Sequence, residues 1–193
     1  MIRVAFHAIN GIGLGHLVRT LAIATELPAI VPGVQRLVVT NARDLSLLER
    51  AGLDYVQLPP RLAEPHADVT RVTSALPEPV EEAALDAIFA AFRPDLVVFD
   101  THAPRRVVAR LTAAGVRSVL VQRELRPEAL RAFLAKGLAL AFDQIVVPHD
   151  ASEVDVAVYG DTPVSLVGPI VRSHRRAHPP LSHRRAHPPL SHR

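Results

Sequence analysis

Cysteine and tryptophan are absent from this chain, and only 4% of its 193 residues are aromatic. Without cysteine there is no disulfide framework, no thiolate metal site and no cysteine nucleophile. The core must therefore be built from the aliphatic residues that make up most of the 49% hydrophobic fraction. The length fits one domain, or one domain plus a tail.

Long apolar runs are also missing. The first fifteen residues lack a signal-peptide pattern, because their apolar stretch is short and is interrupted by His7 and Asn10. The longest apolar segment, 129–148, is broken by Arg131, Lys136 and Asp143, and a membrane span needs about 18 uninterrupted residues. We therefore expect a cytoplasmic protein with at most peripheral membrane contact.

Acidic residues are absent from position 172 onward, where six of the 22 basic residues lie. The remaining 16 basic residues face 19 acidic ones, so residues 1–171 carry a charge of about −3. This part has no basic face that would favour nucleic acid as a partner. Residues 173–193 repeat the sequence Ser-His-Arg-Arg-Ala-His-Pro-Pro-Leu. Paired prolines and few apolar residues predict that 172–193 is a disordered tail behind a single domain, 1–171.

Apolar runs of strand length alternate with helical patterns through residues 1–171. Leu85, Ile88, Phe89 and Phe92, for example, follow the spacing of an amphipathic helix. Strands are predicted at 2–8, 36–40, 55–58, 95–100, 116–122, 144–147 and 164–167, helices at 17–27 (ending at Pro28), 42–51, around 85–92, 105–114 and 127–142, and a long loop at 59–79. This alternation predicts an α/β fold, a doubly wound Rossmann-like parallel sheet with helices on both faces.

A glycine loop, Gly11-Ile-Gly13-Leu-Gly15-His16, follows the first predicted strand. It fails the dinucleotide fingerprint, because His16 stands where the third glycine belongs and the second strand ends in Thr40-Asn41 without an acid. The Walker pattern fails too, since no lysine follows. Glycines before a helix still favour a bound phosphate, sugar hydroxyl or oxyanion, and a tight turn without a ligand is the alternative.

The motif Gly13-x-Gly15-His16-x-x-Arg19 resembles the amino-terminal motif of GT-B glycosyltransferases, especially MurG-like enzymes. Residues 167–172 are similar to the strand end and linker that lead into the second domain of that family. The resemblance covers about residues 1–172 and implies an acceptor-side Rossmann-like domain. It implies no cofactor, and a nucleotide-sugar donor that binds mainly a carboxy-terminal domain, whose place the Arg/His/Pro tail takes here.

Topology predicts that His16 and Asp100 share one crevice. In the common strand order 3-2-1-4-5 the first and fourth strands are neighbours at the point where ligands bind. His16 follows the first strand and Asp100 ends the fourth. Transfer of a sugar with inversion needs a base, which histidine can supply near neutral pH with a carboxylate to orient it. We therefore predict His16 as general base, as the resemblance also implies, and Asp100 as its partner.

The remaining residues around this crevice are predicted to bind the acceptor: Gly11, Gly13, Gly15, Arg19, Thr101 and His102. No metal ligand is predicted. Structural explanations stay open: His16 can simply begin the first helix, Asp100 or Thr101 can cap the helix near Arg105, Arg19 can be solvated or paired internally, and His102 is either a substitute base or a loop residue.

Several residues outside this crevice are weaker candidates. His149 and Asp150 follow a strand toward the far side of the sheet, and Glu124 follows the fifth strand. The loop 59–79 opens on the same rim and suits acceptor recognition. Its Arg61, His66 and Arg71 could meet an anionic or lipid-phosphate acceptor.

These predictions together describe the acceptor-binding half of an inverting glycosyltransferase, inactive alone, that transfers N-acetylglucosamine or another hexose. Its partners are a sugar acceptor, including lipid- or phosphate-linked ones, and a donor-binding domain. The alternatives are a natural subunit that pairs with a separate donor-binding chain, a nucleotide-sugar epimerase fragment, and a non-catalytic Rossmann-like binding module.

Overall fold

A computed structural model of the chain describes residues 1–9, 14–60, 62–65, 70–73, 77–123, 133, 141–150, 152–154, 159 and 163–171, with 62–65 and 70–73 described by their backbone. The strands are β1 Arg3–Ala8, β2 Gln35–Thr40, β3 Asp54–Gln57, β4 Leu62–Pro65, β5 Thr70–Thr73, β6 Leu96–Asp100, β7 Arg117–Val121, β8 Gln144–Val147 and β9 Val164–Leu166. The helices are α1 Gly15–Ile30, α2 Ser46–Ala51, α3 Glu78–Phe92 and α4 Arg105–Ala113. The predicted tail, 172–193, and nearly all of the predicted helix at 127–142 lie outside these residues.

The main sheet has seven parallel strands within the described ranges, in the order β3-β2-β1-β6-β7-β8-β9. Strand β1 lies at the centre of the reversal, with β2 on one side and β6 on the other. The carboxyl ends of β1 and β6 are in register, with Ala8 opposite Asp100. The predicted doubly wound order is therefore confirmed, and it fixes the switch point between these two strands.

Helices cover both faces of the sheet. Successive strand residues point to opposite faces, so Val98 packs with Leu17 and Leu21 of α1, while its neighbour Phe99 packs with Phe89 of α3 and with residues of α4. The two faces form two separate buried clusters. Burial on both faces explains why β6 is apolar at every position up to its last residue, Asp100.

Helix α1 is longer than predicted. It continues through Pro28 and ends at Ile30, whereas the sequence pattern predicts an end at the proline. Proline removes a backbone donor and leaves the carbonyl four residues earlier without its helical partner. Here that carbonyl, on Ala24, accepts a hydrogen bond of 2.8 Å from Nη1 of Arg36. A side chain from the next strand thus stabilises a helix turn that the local sequence disfavours.

Two other predictions need correction. Helix α2 begins at Ser46 rather than at residue 42. Before it, side-chain oxygens accept hydrogen bonds from backbone amides two residues on, Thr40 Oγ1 from Ala42 and Asp44 Oδ1 from Ser46, and these bonds favour a turn over a helix. The segment predicted as a long loop, 59–79, contains the antiparallel pair β4–β5 and the first two residues of α3. None of the helices in the described ranges is both long and apolar enough to cross a bilayer.

Candidate functional site

The carboxyl ends of β1 and β6 bring His16 and Asp100 into direct contact. His16 is the second residue of α1, and Asp100 is the last residue of β6. Nδ1 of His16 lies 2.7 Å from Oδ1 of Asp100. The carboxylate is buried, with 1% of its side chain exposed, whereas 25% of the imidazole is exposed. A carboxylate accepts from Nδ1–H, so this contact leaves Nε2, on the other side of the ring, as the acceptor of the imidazole.

Arg19, one turn further along α1, binds the same carboxylate. Its Nε donates to Oδ2 of Asp100 at 2.8 Å, and its Nη2 donates to Oδ1. Nη2 also donates to Oγ1 of Thr101 at 3.2 Å. This is the two-point geometry that a guanidinium makes with a carboxylate. The role in acceptor binding predicted for Arg19 stays a prediction, and two of its nitrogens are engaged within the protein.

The pKa of the Asp100 carboxyl reflects these contacts. Burial raises the pKa of a carboxyl group, but the hydrogen bonds and positive charge of Arg19, together with the hydrogen bond from His16, outweigh burial and lower the pKa of Asp100 below its ordinary value. Asp100 is therefore ionised throughout the neutral range, and the site holds a permanent negative charge beside the imidazole.

The backbone turns sharply at Thr101. This residue has a φ of 65°, a left-handed conformation that β-branched residues rarely adopt. Its N–H extends the sheet by bonding the Val121 carbonyl at 2.9 Å, and the next N–H, of His102, bonds back to the Asp100 carbonyl at 2.7 Å. Strained conformations of this kind cluster at functional sites. Nothing in the sequence indicated the turn.

His102 lies beside His7 and a small cavity. Its carbonyl accepts a hydrogen bond from Nδ1 of the buried His7 at 3.2 Å, and the two rings lie 6.0 Å apart. It lines a cavity of about 130 Å³ with Leu120 and Phe142. Thr101 lines the same cavity, and the predicted contact of His102 with the acceptor stays a prediction.

The capping explanation for Asp100 and Thr101 is wrong. The N-cap of α4 is Pro104, and it makes no side-chain hydrogen bond. Asp100 instead turns toward α1, where it holds His16 and Arg19. Thr101 supports the same cluster, because its Oγ1 donates to Oδ1 of Asp100 at 3.0 Å.

The described residues leave the space beside the start of α1 open. A Cβ built on Gly15 would meet no atom of the described chain within 4 Å, and the first turn carries no acidic side chain. The positive end of the helix dipole therefore faces this space without a carboxylate from its own first turn. Gly11 and Gly13, the other predicted glycines, lie outside the described residues.

The weaker candidates lie elsewhere or outside the description. Nδ1 of His149 lies 3.3 Å from Oε2 of Glu153, which also accepts from the Asp150 amide. These residues follow β8, two strands away from β6. Glu124, Arg61 and His66 lie outside the described residues, and Arg71 is described by its backbone only. Over the described ranges no group of three or more His, Asp or Glu side chains could hold a metal ion.

Sequence reasoning left internal pairing of Arg19 open without naming Asp100 as its partner, and it missed how Thr101 serves this cluster. The spacing of three between His16 and Arg19 places both on one helix face, and this signal could have linked Arg19 to Asp100. The conformation of Thr101 has no local signal, because glycine, asparagine or aspartate is the usual residue at positive φ.

Comparison with known proteins gives matches by structure alone. No protein-family model matches the chain, and no curated protein matches its sequence. Acinetobacter baumannii MurG superposes with a TM-score of 0.58 at 10% identity, over 86% of this chain and 46% of MurG. Phytolacca americana UGT2 gives 0.60 at 14% identity, over 90% and 53%. A UDP-N-acetylglucosamine 2-epimerase gives 0.57 at 12% identity, over 87% and 48%.

These likenesses identify the fold. The chain has a Rossmann-like domain of the kind found at the amino terminus of GT-B glycosyltransferases. It spans about half the length of the structures it matches. At such low identity the likeness extends to the fold and not to an activity.

Proposed function

We propose that this chain is the acceptor-binding half of an inverting glycosyltransferase, with His16 as the general base. The observation that carries the proposal is the 2.7 Å contact between Nδ1 of His16 and Oδ1 of Asp100, at the switch point of a sheet shared with glycosyltransferases. A histidine held by a buried carboxylate, partly exposed to solvent and next to Gly15, is suited to removing a proton from a bound hydroxyl.

The proposed reaction uses both nitrogens of the imidazole. Nε2 of His16 takes the proton from an acceptor hydroxyl while the hydroxyl oxygen attacks the anomeric carbon of the sugar. The bond between that carbon and the nucleoside diphosphate breaks, and the diphosphate leaves with the electron pair. Asp100 stabilises the imidazolium that forms, because its charge lies against Nδ1–H. Attack from the side opposite the leaving group inverts the anomeric centre.

The donor is proposed to be a nucleotide sugar that a second domain binds, either in the same protein or in a partner chain. One matched structure, of Phytolacca americana UGT2, contains UDP-2-fluoro-glucose and pterostilbene together. The matched chains are about twice as long as the part that superposes, which is consistent with a donor site outside this domain. The acceptor then enters the space above Gly15.

Two measurements test the proposal. Calorimetry with the purified chain should give no tight binding of UDP-N-acetylglucosamine or UDP-glucose, since the donor site lies elsewhere; submicromolar binding by this chain would contradict the proposal. In an enzyme completed with a donor-binding domain, His16→Ala should lower kcat by about 10²–10⁴-fold, the usual contribution of a positioned base. His149→Ala, at the end of β8, is the matched control and should retain activity.

A fragment of a nucleotide-sugar epimerase is the second candidate, because an epimerase matches the fold as well as the transferases do. The completed enzyme separates the two by its requirements. An epimerase converts the nucleotide sugar without any acceptor, whereas a transferase releases the nucleoside diphosphate only when an acceptor hydroxyl receives the sugar.

A further inference from the structure

The charges around His16 form a row of three, with the carboxylate shared between two donors. Oδ1 of Asp100 accepts a hydrogen bond from Nδ1 of His16, and both carboxylate oxygens accept hydrogen bonds from the Arg19 guanidinium. Nη2 of Arg19 lies only 3.4 Å from Nδ1 of His16. The Arg19 side chain is more enclosed than that of His16, with 16% of it exposed against 25%, so water screens its charge poorly.

With a neutral imidazole, this cluster carries one negative and one positive charge and is balanced. A proton added to His16 places a second cation against the guanidinium, with a single carboxylate between them. Asp100 favours that proton and Arg19 opposes it, and both act at hydrogen-bond distance. Among the described residues, no other charged side chain has a hydrogen bond or ion pair with His16.

We infer that Arg19 is a positioning residue that balances the charge of Asp100, so that Asp100 orients His16 without holding it in the protonated form. This inference rests on the proposed role of His16 as base, because a base must be unprotonated before it acts. A lone carboxylate against the imidazole would favour a resting imidazolium, which has no free lone pair. The guanidinium removes that tendency and leaves the orienting hydrogen bond in place.

Thr101 completes this arrangement. Its Oγ1 accepts from Nη2 of Arg19 at 3.2 Å and donates to Oδ1 of Asp100 at 3.0 Å. The hydroxyl therefore joins the two charged groups on the side where they meet. The left-handed backbone at Thr101 places this hydroxyl beside the carboxylate of the preceding residue, which gives the strained turn a function in fixing Arg19.

The test is the titration of the His16 ring, followed by NMR with labelled histidine and assigned by comparison with His16→Gln. In Arg19→Gln the carboxylate is no longer balanced, so the midpoint of the His16 titration should rise by about one pH unit. Arg19→Lys keeps the charge and should restore most of the wild-type midpoint. Arg110→Gln removes an arginine that pairs with Asp86 far from the site and should leave the midpoint unchanged.

An unchanged midpoint in Arg19→Gln, or equal shifts in the Gln and Lys variants, would overturn the inference. If Arg19→Gln fails to fold, the wild-type chain provides the test. The NMR chemical shift of the Arg19 Nε–H should change with pH at the same midpoint as the His16 ring. A chemical shift that does not change at that midpoint would overturn the inference. Neither readout needs sugar transfer. If the titrations behave as expected and the completed enzyme transfers no sugar, the proposed function fails and the charge balance stands. If it is active, Arg19→Gln should also move the acid limb of kcat/KM to higher pH.

Discussion

Arg36 replaces the hydrogen bond that Pro28 removes from α1. Its Nη1 lies 2.8 Å from the carbonyl oxygen of Ala24, the group that the amide of residue 28 would have bonded in an uninterrupted helix. Ala24 is fully buried, so water cannot take over this role. A strand residue thus completes a helix that precedes it in the chain.

This relationship predicts non-additive stability changes. Arg36→Met should lower the free energy of unfolding by about 1–2 kcal/mol, because a buried carbonyl loses its partner. In a Pro28→Ala background the same change should cost clearly less, since the amide of Ala at position 28 can bond Ala24. Urea unfolding of the four proteins measures the coupling. Arg117→Met, on an exposed strand end, is the control, and equal costs in both backgrounds would contradict the prediction.

The Asp100 carboxylate predicts a pH-dependent contribution to stability. Because its pKa is lowered in the folded protein, the stabilisation is complete above the ordinary carboxyl pKa of about 4 and is lost as the pH falls below it. Asp100→Asn should destabilise the domain by about 3 kcal/mol at pH 7, since it leaves Arg19 poorly compensated, and by progressively less as the pH falls below about 4. Chemical unfolding over this pH range tests this, with the exposed Asp54→Asn as control. A difference that does not depend on pH would refute it.

Gly15 is predicted to serve a ligand rather than the fold. It begins α1, has open space at its Cβ position and is not at positive φ. Gly15→Ala should therefore leave stability unchanged or raise it by up to about 1 kcal/mol, while it weakens acceptor binding or turnover. Gly52→Ala is the contrast, because Gly52 has a φ of 62° and should lose about 1 kcal/mol. Full activity in a well-folded Gly15→Ala enzyme would count against a ligand above the helix.

Thr101 predicts a reversal of the usual preference for alanine over glycine. Thr101→Ala keeps the left-handed strain and loses the hydroxyl contacts, whereas Thr101→Gly loses the same contacts and relieves the strain. The glycine variant should be more stable than the alanine variant by about 1 kcal/mol. At Ala109, exposed on α4, a change to glycine should instead destabilise by a similar amount. Thermal unfolding of the three variants decides, and a less stable glycine at 101 would show that the turn is not strained.

The sequence predicted those features that follow from strand order and from apolar patterns. Asp100 ends a continuously apolar strand and His16 follows the first one, so the doubly wound order was sufficient to place them together. The helix around Leu85 and Phe89 was equally clear, because both residues are buried at helical spacing.

The features that sequence reasoning missed depend on contacts between distant residues. Pro28 ends a helix by its local chemistry, and only Arg36 on β2 reverses that rule. The sequence left open whether Arg19 is solvated or paired internally, and only the fold shows that its Nε and Nη2 donate to Asp100, 81 positions away. Thr101 adopts a conformation that its own side chain disfavours, because the β7 ladder and the cluster around Asp100 fix its two sides. Local propensity carries no information on such partners.

The pairing of β1 with β6 also determines when the site can form during synthesis of the chain. His16 and Asp100 are separated by 84 positions. Strand β1 can pair with its second neighbour, β6, only after β2, β3 and α3 have been synthesised. Such distant pairings form late, because a large loop must close before any contact rewards it. A chain that leaves the ribosome only as far as α3 therefore already holds the imidazole and the guanidinium, yet lacks the anion that joins them.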